Sequence, residues 1–257
     1  MSDTEGFVSG LPCWIDTSVE TSELRQGLID FYGSLMGWTF DVGPENTGFY
    51  SMGNHNGRPV LGIGQQGGGA GHWVVYFSTD DIAASAALAT VLGGQVFAGP
   101  MQVMDIGHMA LVMDPAGAAH GLWQPLNFAG FGVIHEPNAP GWFDHYSEQP
   151  EAAATYYSGL LGHPVMAQEP GMRILHWGDQ WFASISEGDC SVVPPHWTPI
   201  FVVASLAETR ARAQQLGAEI VVEEMPVPGS ALSVLRDPVM GAHFTVMAHG
   251  GGENPGQ

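Results

Sequence analysis

Two aspartates and two histidines stand where their side chains could do chemistry. Asp16 follows Trp14 by two residues, and Asp144 follows Trp142 by two. Strand alternation puts each indole and its carboxylate on one face. Each pair then joins an aromatic wall to one acceptor that could orient a donor or a cationic amine. The competing reading is local: an aspartate that caps a turn or bonds backbone. His72 and His196 directly precede Trp73 and Trp197. There an imidazole could serve as general base or ligand. With no orienting partner in view, each reads as the first residue of a strand at a junction. Flat side chains are plentiful, with 8 Trp, 12 Phe and 6 Tyr beside 12 Met. Such residues offer a small ligand stacking area at low entropic cost, although most must be core. The expected ligand walls are Trp14, Trp38, Trp73 and Trp123 in one half, and Trp142, Trp177 and Trp197 in the other. No Ser/His/Asp or Cys/His arrangement is readable. The glycine run ending at Gly71 precedes a strand rather than opening a helix, which argues against dinucleotide binding.

The elements that position these residues repeat. Phe31-Tyr-Gly-Ser-Leu-Met-Gly-Trp38 returns 125 residues later as Tyr156-Tyr-Ser-Gly-Leu-Leu-Gly-His163. His72-Trp73 and Leu92-Gly93-Gly94 recur at an offset of 124, and Asp114-Pro115 at 123. One offset shared by several landmarks means two copies of one structural plan. Within each copy, a short strand, a capped helix and further strands follow one another, and then the series begins again; after the helix at 151–161 only two strands are read, at 173–176 and 182–185. The helices are expected near 23–36, 81–92, 151–161 and 208–216. The expected fold is therefore α+β, with two tandem domains, each a pair of βαβββ units forming a cup-shaped sheet. Their expected bounds are 6–128 and 138–249, joined by a linker over 129–141. Residues 65–71 read as a flexible connector and 250–257 as a flexible tail.

Composition removes several function classes. Against 26 acidic residues stand 6 basic ones, all arginine, for a net charge of −20. Such a surface repels phosphate backbones and anionic membranes, and it attracts cationic ligands over long range. No apolar run approaches the ~18 residues of a membrane span. No secretory signal is visible at the start. Cys13 and Cys190 lie in opposite halves and read as reduced thiols of a cytoplasmic protein.

The ordered motifs resemble the vicinal oxygen chelate superfamily, the glyoxalase, bleomycin-resistance and dioxygenase group, and within it the two-domain glyoxalase-like bacterial proteins. The residues that carry the resemblance are Leu11-Pro-Cys-Trp-Ile-Asp16, Phe31 to Trp38, Phe49-Tyr-Ser-Met52, Trp73-Val-Val-Tyr76, Asp114-Pro-Ala-Gly-Ala118 and Leu122-Trp-Gln-Pro125. In the second half they are Arg173-Ile-Leu-His-Trp-Gly-Asp179 and Asp237-Pro-Val-Met-Gly-Ala242. The resemblance implies cups that hold a small molecule or a metal ion. In metal-using relatives, His, Gln or Glu ligands come from the first and last strands of the units. Carried over, those positions fall near Trp14, Val74 and Gly121, and near Trp142, Thr198 and Thr245. A shift of two residues reaches Asp16, His72, Asp144 and His196. Neither set supplies the three or four converging ligands a Zn²⁺ or Fe²⁺ site wants, so no metal and no cofactor are expected.

Two function classes remain. The first is a metal-free binding protein for a small aromatic ligand, cationic in the reading that uses the net charge. It would act in sequestration or resistance, or beside a pathway enzyme in antibiotic biosynthesis. The second is an enzyme: either metal-dependent, of glyoxalase or dioxygenase type, or a metal-free cyclase or isomerase.

Overall fold

The computed structural model describes residues 8–65, 72–169, 171–191, 193–227 and 229–249. Of the expected connector over 65–71, residues 66–71 lie outside these, as does the expected tail over 250–257. The first half runs β1 (Pro12–Val19), α1 (Ser22–Met36), β2 (Thr39–Val42), β3 (Ser51–His55), β4 (Arg58–Gln65), β5 (Val74–Ser78), α2 (Ile82–Val91), β6 (Gln95–Val103), β7 (Gly107–Met113) and β8 (Ala119–Pro125). The second runs β9 (Pro140–Ser147), α3 (Pro150–Leu161), β10 (Val165–Glu169), β11 (Met172–Trp177), β12 (Gln180–Glu187), β13 (His196–Val203), α4 (Leu206–Gln215), β14 (Glu219–Val227), β15 (Ser230–Arg236) and β16 (His243–Ala248).

Each half forms one eight-stranded sheet. The orders are β2-β3-β4-β1-β5-β8-β7-β6 and β10-β11-β12-β9-β13-β16-β15-β14, so the second repeats the first strand for strand. The two units of a half meet at an antiparallel pair, β1 with β5 and β9 with β13. This is the expected α+β plan of paired βαβββ units.

Local chemistry explains the element ends. The Thr21 hydroxyl accepts from Leu24 N and starts α1. Gly37 stops that helix at φ 72°, a left-handed value that glycine adopts without strain. Asp81 caps α2 by accepting from Ala83 N and Ala84 N. Asn56 and Gly57 both take positive φ and close the β3–β4 hairpin. The Asp114 carboxylate accepts from Ala116 N and Ala118 N and braces the turn into β8. Asp237 does the same through Val239, Met240 and Ala242.

The sequence reading placed no strand over β10. That strand lies at the sheet edge and pairs only with β11. Met166 on it is exposed, so Val165-Met-Ala-Gln-Glu169 carries no inward alternation to read. The linker also differs from a free tether. Phe131 N donates to Cys13 O, Gly132 N to Pro59 O, and Asn138 N to Val202 O, so backbone bonds tie the segment to both sheets.

The main core lies between the sheets and is shared by both halves. Phe31 and Tyr32 of α1 pack on Phe244 of β16, at ring separations of 6.0 and 5.4 Å. Tyr157 of α3 packs on Phe77 of β5 at 5.7 Å. Each half thus sends its first helix onto the strands of the other. Full burial of one such aromatic contributes about 1.5–3 kcal/mol. The sheet faces turned away from this core carry Trp14 with Asp16, and Trp142 with Asp144.

Candidate functional site

Strand pairing assembles the first cup. Asp16 on β1 lies beside Gly62 of β4 and Val74 of β5, and Trp14 lies beside Tyr76. Tyr76 in turn neighbours Gly121 of β8. The outer face therefore collects Trp14, Asp16, Tyr76 and Trp123, with Tyr50 reaching in from the loop before β3. Trp14, Tyr76, Trp123 and Cys13 form a small apolar cluster with Met52, Val74, Ile106 and Met109 around it. Phe128, from the segment after β8, stands edge-on to Trp14 at 5.0 Å and closes one end. Its carbonyl accepts from Trp123 Nε1 at 2.8 Å.

Two phenols hold the carboxyl. Tyr76 and Tyr50 hydroxyls donate to Asp16 Oδ2 at 3.1 and 3.3 Å. Trp14 Nε1 donates to the Tyr50 oxygen at 2.8 Å, so indole, phenol and carboxyl form a chain. The cup removes Asp16 from water, and that desolvation pushes its pKa up to about 7, against the lowering effect of the Tyr76 and Tyr50 hydrogen bonds. Part of the side chain stays open to solvent. It is thus a proton donor or acceptor at neutral pH, set among aromatic surfaces.

The second cup keeps the indole and the carboxyl but changes their surroundings. Asp144 lies beside Ser184 of β12 and Thr198 of β13. Ser184 and Ser186 hydroxyls donate to Asp144 Oδ1 at 2.7 and 2.9 Å, and Trp142 Nε1 donates to Ser184 Oγ at 2.7 Å. Burial raises the Asp144 pKa, with the two serines and His145 opposing it. Hydroxyls replace the phenols, so this cup is less aromatic.

The structure divides the expected site residues. Trp14, Asp16 and Trp123 come together in the first cup, and Trp142 and Asp144 in the second. Trp38, Trp73 and Trp197 do not line a cup. Trp38 lies in the inter-sheet core against Phe201 at 5.2 Å, with its Nε1 on Asn138 O. Trp73 packs on Tyr32, and Trp197 on Phe77, Tyr157 and His145. The reason is parity: Trp197 within β13, and Trp38 and Trp73 directly before β2 and β5, each sit one residue out of step with the outer-facing side chains, so they turn inward. Trp177 ends β11 and is 40% exposed. Tyr50, Tyr76, Ser184 and Ser186 were not foreseen. The signal for the tyrosines was glycine within strands: a Cβ at Gly62 would strike the Tyr50 ring, and one at Gly121 the Tyr76 ring.

Comparison with known proteins decides the family. The chain is 32% identical over 253 residues to CFP32 of Mycobacterium tuberculosis, named as a candidate glyoxylase, covering 94% of this chain and 95% of that protein. It is 31% identical over 264 residues to the anthracycline biosynthesis protein DnrV of Streptomyces peucetius, covering 94% of each. The chain belongs to the vicinal oxygen chelate superfamily, in a two-domain glyoxalase-like form. No family model matches the sequence. Solved structures agree on the superfamily fold. The Mn(II)-bound glyoxalase from Novosphingobium aromaticivorans superposes with a TM-score of 0.68 at 14% identity, over 94% of this chain and 83% of that one. The 2,2',3-trihydroxybiphenyl 1,2-dioxygenase from Sphingomonas wittichii gives 0.67 at 12%, over 94% and 91%.

The Mn(II) of that glyoxalase poses a test for the cups of this vicinal oxygen chelate protein. Their donor sets do not fit a divalent ion. In the first cup, Trp14, Val74 and Gly121 bring no ligating atom, and Asp16 Oδ2 already accepts from two phenols. In the second, Thr198 and Thr245 bring only neutral hydroxyls, and Asp144 is engaged by two serines. Among the described residues, no three His, Cys, Asp or Glu side chains converge. A tight site wants three or four such groups. Nor does any helix of the described residues have the length and apolarity to cross a membrane.

Proposed function

We propose that this protein binds an aromatic natural product in its N-terminal cup, without a metal. The carrying observation is the Asp16 carboxyl, held by Tyr50 and Tyr76 beside Trp14 and Trp123, where a metal-using relative would need ligands. An aromatic wall with one polar anchor is the usual design of a small-molecule site. The names of DnrV and of its Streptomyces counterpart DauV, both anthracycline biosynthesis proteins, support a polycyclic aromatic ligand. The protein would act in the cytoplasm, sequestering such a compound or holding it for a pathway enzyme. A cationic group on the ligand would gain from the −20 net charge during encounter. Titration of the purified protein with an anthracycline-type compound, followed by tryptophan fluorescence, tests this. Saturable quenching should be lost in Trp14→Ala and kept in Trp142→Ala. Absence of quenching up to the solubility limit overturns the reading.

One observation favours a second reading. A carboxyl that titrates near neutral pH, hydrogen-bonded to two phenols, is suited to general acid–base catalysis. In a metal-free cyclase or isomerase, Asp16 would take a proton from carbon or oxygen of the bound substrate and return it elsewhere. Tyr50 and Tyr76 would steady the charge on the carboxylate. Asp16→Asn separates the readings: in the first it weakens ligand quenching through loss of the polar anchor, and only in the second does it remove a turnover that wild type shows.

A further inference from the structure

A cavity of about 230 Å³ lies where the two halves meet, and shares no lining residue with the Asp16 or Asp144 hydrogen-bonded clusters. His72 and Trp73 reach it from the N-terminal half; His196, Trp197, Arg236 and His243 reach it from the C-terminal half. The repeat places one His-Trp pair before each unit junction, and the docking of the halves brings both pairs to one space. The His196 and His243 rings stand 6.2 Å apart. His196 Nδ1 donates to Pro194 O at 2.8 Å, which leaves Nε2 as the uncommitted ring nitrogen. Among the described lining residues there is no carboxylate. In a chain with 26 acidic and 6 basic residues, three imidazoles and a guanidinium converge on this one lining.

We propose that this cavity is a second ligand site, which takes a small oxyanion, a carboxylate or phosphate group, between His72, His196, His243 and Arg236. Of the charges around it, Glu219 pairs with Arg236 and does not itself line the cavity. Asp237 follows Arg236, but its oxygens are engaged by backbone amides of its own turn. Tyr146 of β9 stacks on His196, and His145 of the same strand disfavours a charge there. Burial, with the neighbouring imidazoles, holds His196 down to about 4; burial also lowers His72 and His243. These rings are therefore neutral at pH 7. A bound anion favours their charged forms, so binding takes up protons and strengthens as pH falls.

Calorimetry on the full chain, with inorganic phosphate and with citrate as probes, tests this at pH 6 and pH 8 in two buffers of different ionisation heat. We expect binding at pH 6 with net proton uptake, about tenfold weaker at pH 8. His196→Gln and Arg236→Gln should each weaken it by about tenfold or more while leaving the melting temperature unchanged. If either variant fails to fold, His243→Gln takes its place. Three results overturn the proposal: no heat from either probe up to about 10 mM, binding untouched by these substitutions, or binding that appears only with added Zn²⁺. Ligand quenching in the N-terminal cup is unaffected by any of them, so the two sites are tested independently.

Discussion

His145 Nε2 lies 2.8 Å from Asp114 Oδ2, and both side chains are fully buried. Asp114 belongs to the Asp-Pro turn of the first half; His145 belongs to the first strand of the second. The Tyr157 hydroxyl donates to the same oxygen at 2.9 Å and accepts from Trp197 Nε1 at 2.8 Å. A polar chain thus crosses the shared core and fixes how the halves dock.

Removal of one partner leaves the other buried and underbonded. His145→Ala should cost about 3 kcal/mol or more in denaturant unfolding. Burial raises the Asp114 pKa, but the His145 bond and the bonds from Ala118 and Tyr157 outweigh it and hold it below the ordinary value. That stabilisation is present above pH 4 and is lost as pH falls through the lowered pKa. Asp114→Asn should therefore lower stability at pH 7 and narrow the gap to wild type in strong acid. An unchanged unfolding midpoint at pH 7 would show that the pair contributes nothing.

Asp16 has the opposite sign. Its folded pKa, about 7, lies above its ordinary 3.8. Its contribution is full below pH 4 and is lost as pH rises through about 7. Partial solvent access limits the loss to about 2 kcal/mol. Wild type should lose stability between pH 5 and pH 8.5 by about that amount relative to Asp16→Asn. Parallel pH profiles for the two proteins would contradict this.

Gly62 makes room for the phenol that anchors Asp16. Gly62→Ala should push Tyr50 off its place at a cost of about 1–3 kcal/mol. One donor to the carboxylate is then lost, so the Asp16 titration should move further upward, as it should in Tyr50→Phe. Infrared titration of the carboxyl band reads this directly; a downward move in both variants would contradict the hydrogen-bond assignment.

Neither cup should retain a divalent ion. After incubation with Mn²⁺, Zn²⁺ or Fe²⁺ and desalting, elemental analysis should find well under one equivalent per chain. A full equivalent lost in Asp16→Asn or Asp144→Asn would refute the donor-set argument.

The sequence alone determined the plan of two tandem halves. Matched landmarks such as Asp114-Pro115 and Asp237-Pro238 are local signals of turn and register, and these survive without knowledge of packing. It also determined that Trp14 shares a face with Asp16, and Trp142 with Asp144, because alternation along one strand is a property of the strand itself. The sequence did not reveal β10, an edge strand with little buried on either side. Nor could it say which tryptophans turn outward. Both faces of these sheets are apolar, so Trp73 and Trp197 look like Trp14 until the helices of the opposite half cover one face. Tertiary structure alone brought Tyr50 and Tyr76 to Asp16, from 34 and 60 residues away. It alone set His145 against Asp114 and gathered His72 with His196, since such contacts depend on how strands pair and halves dock.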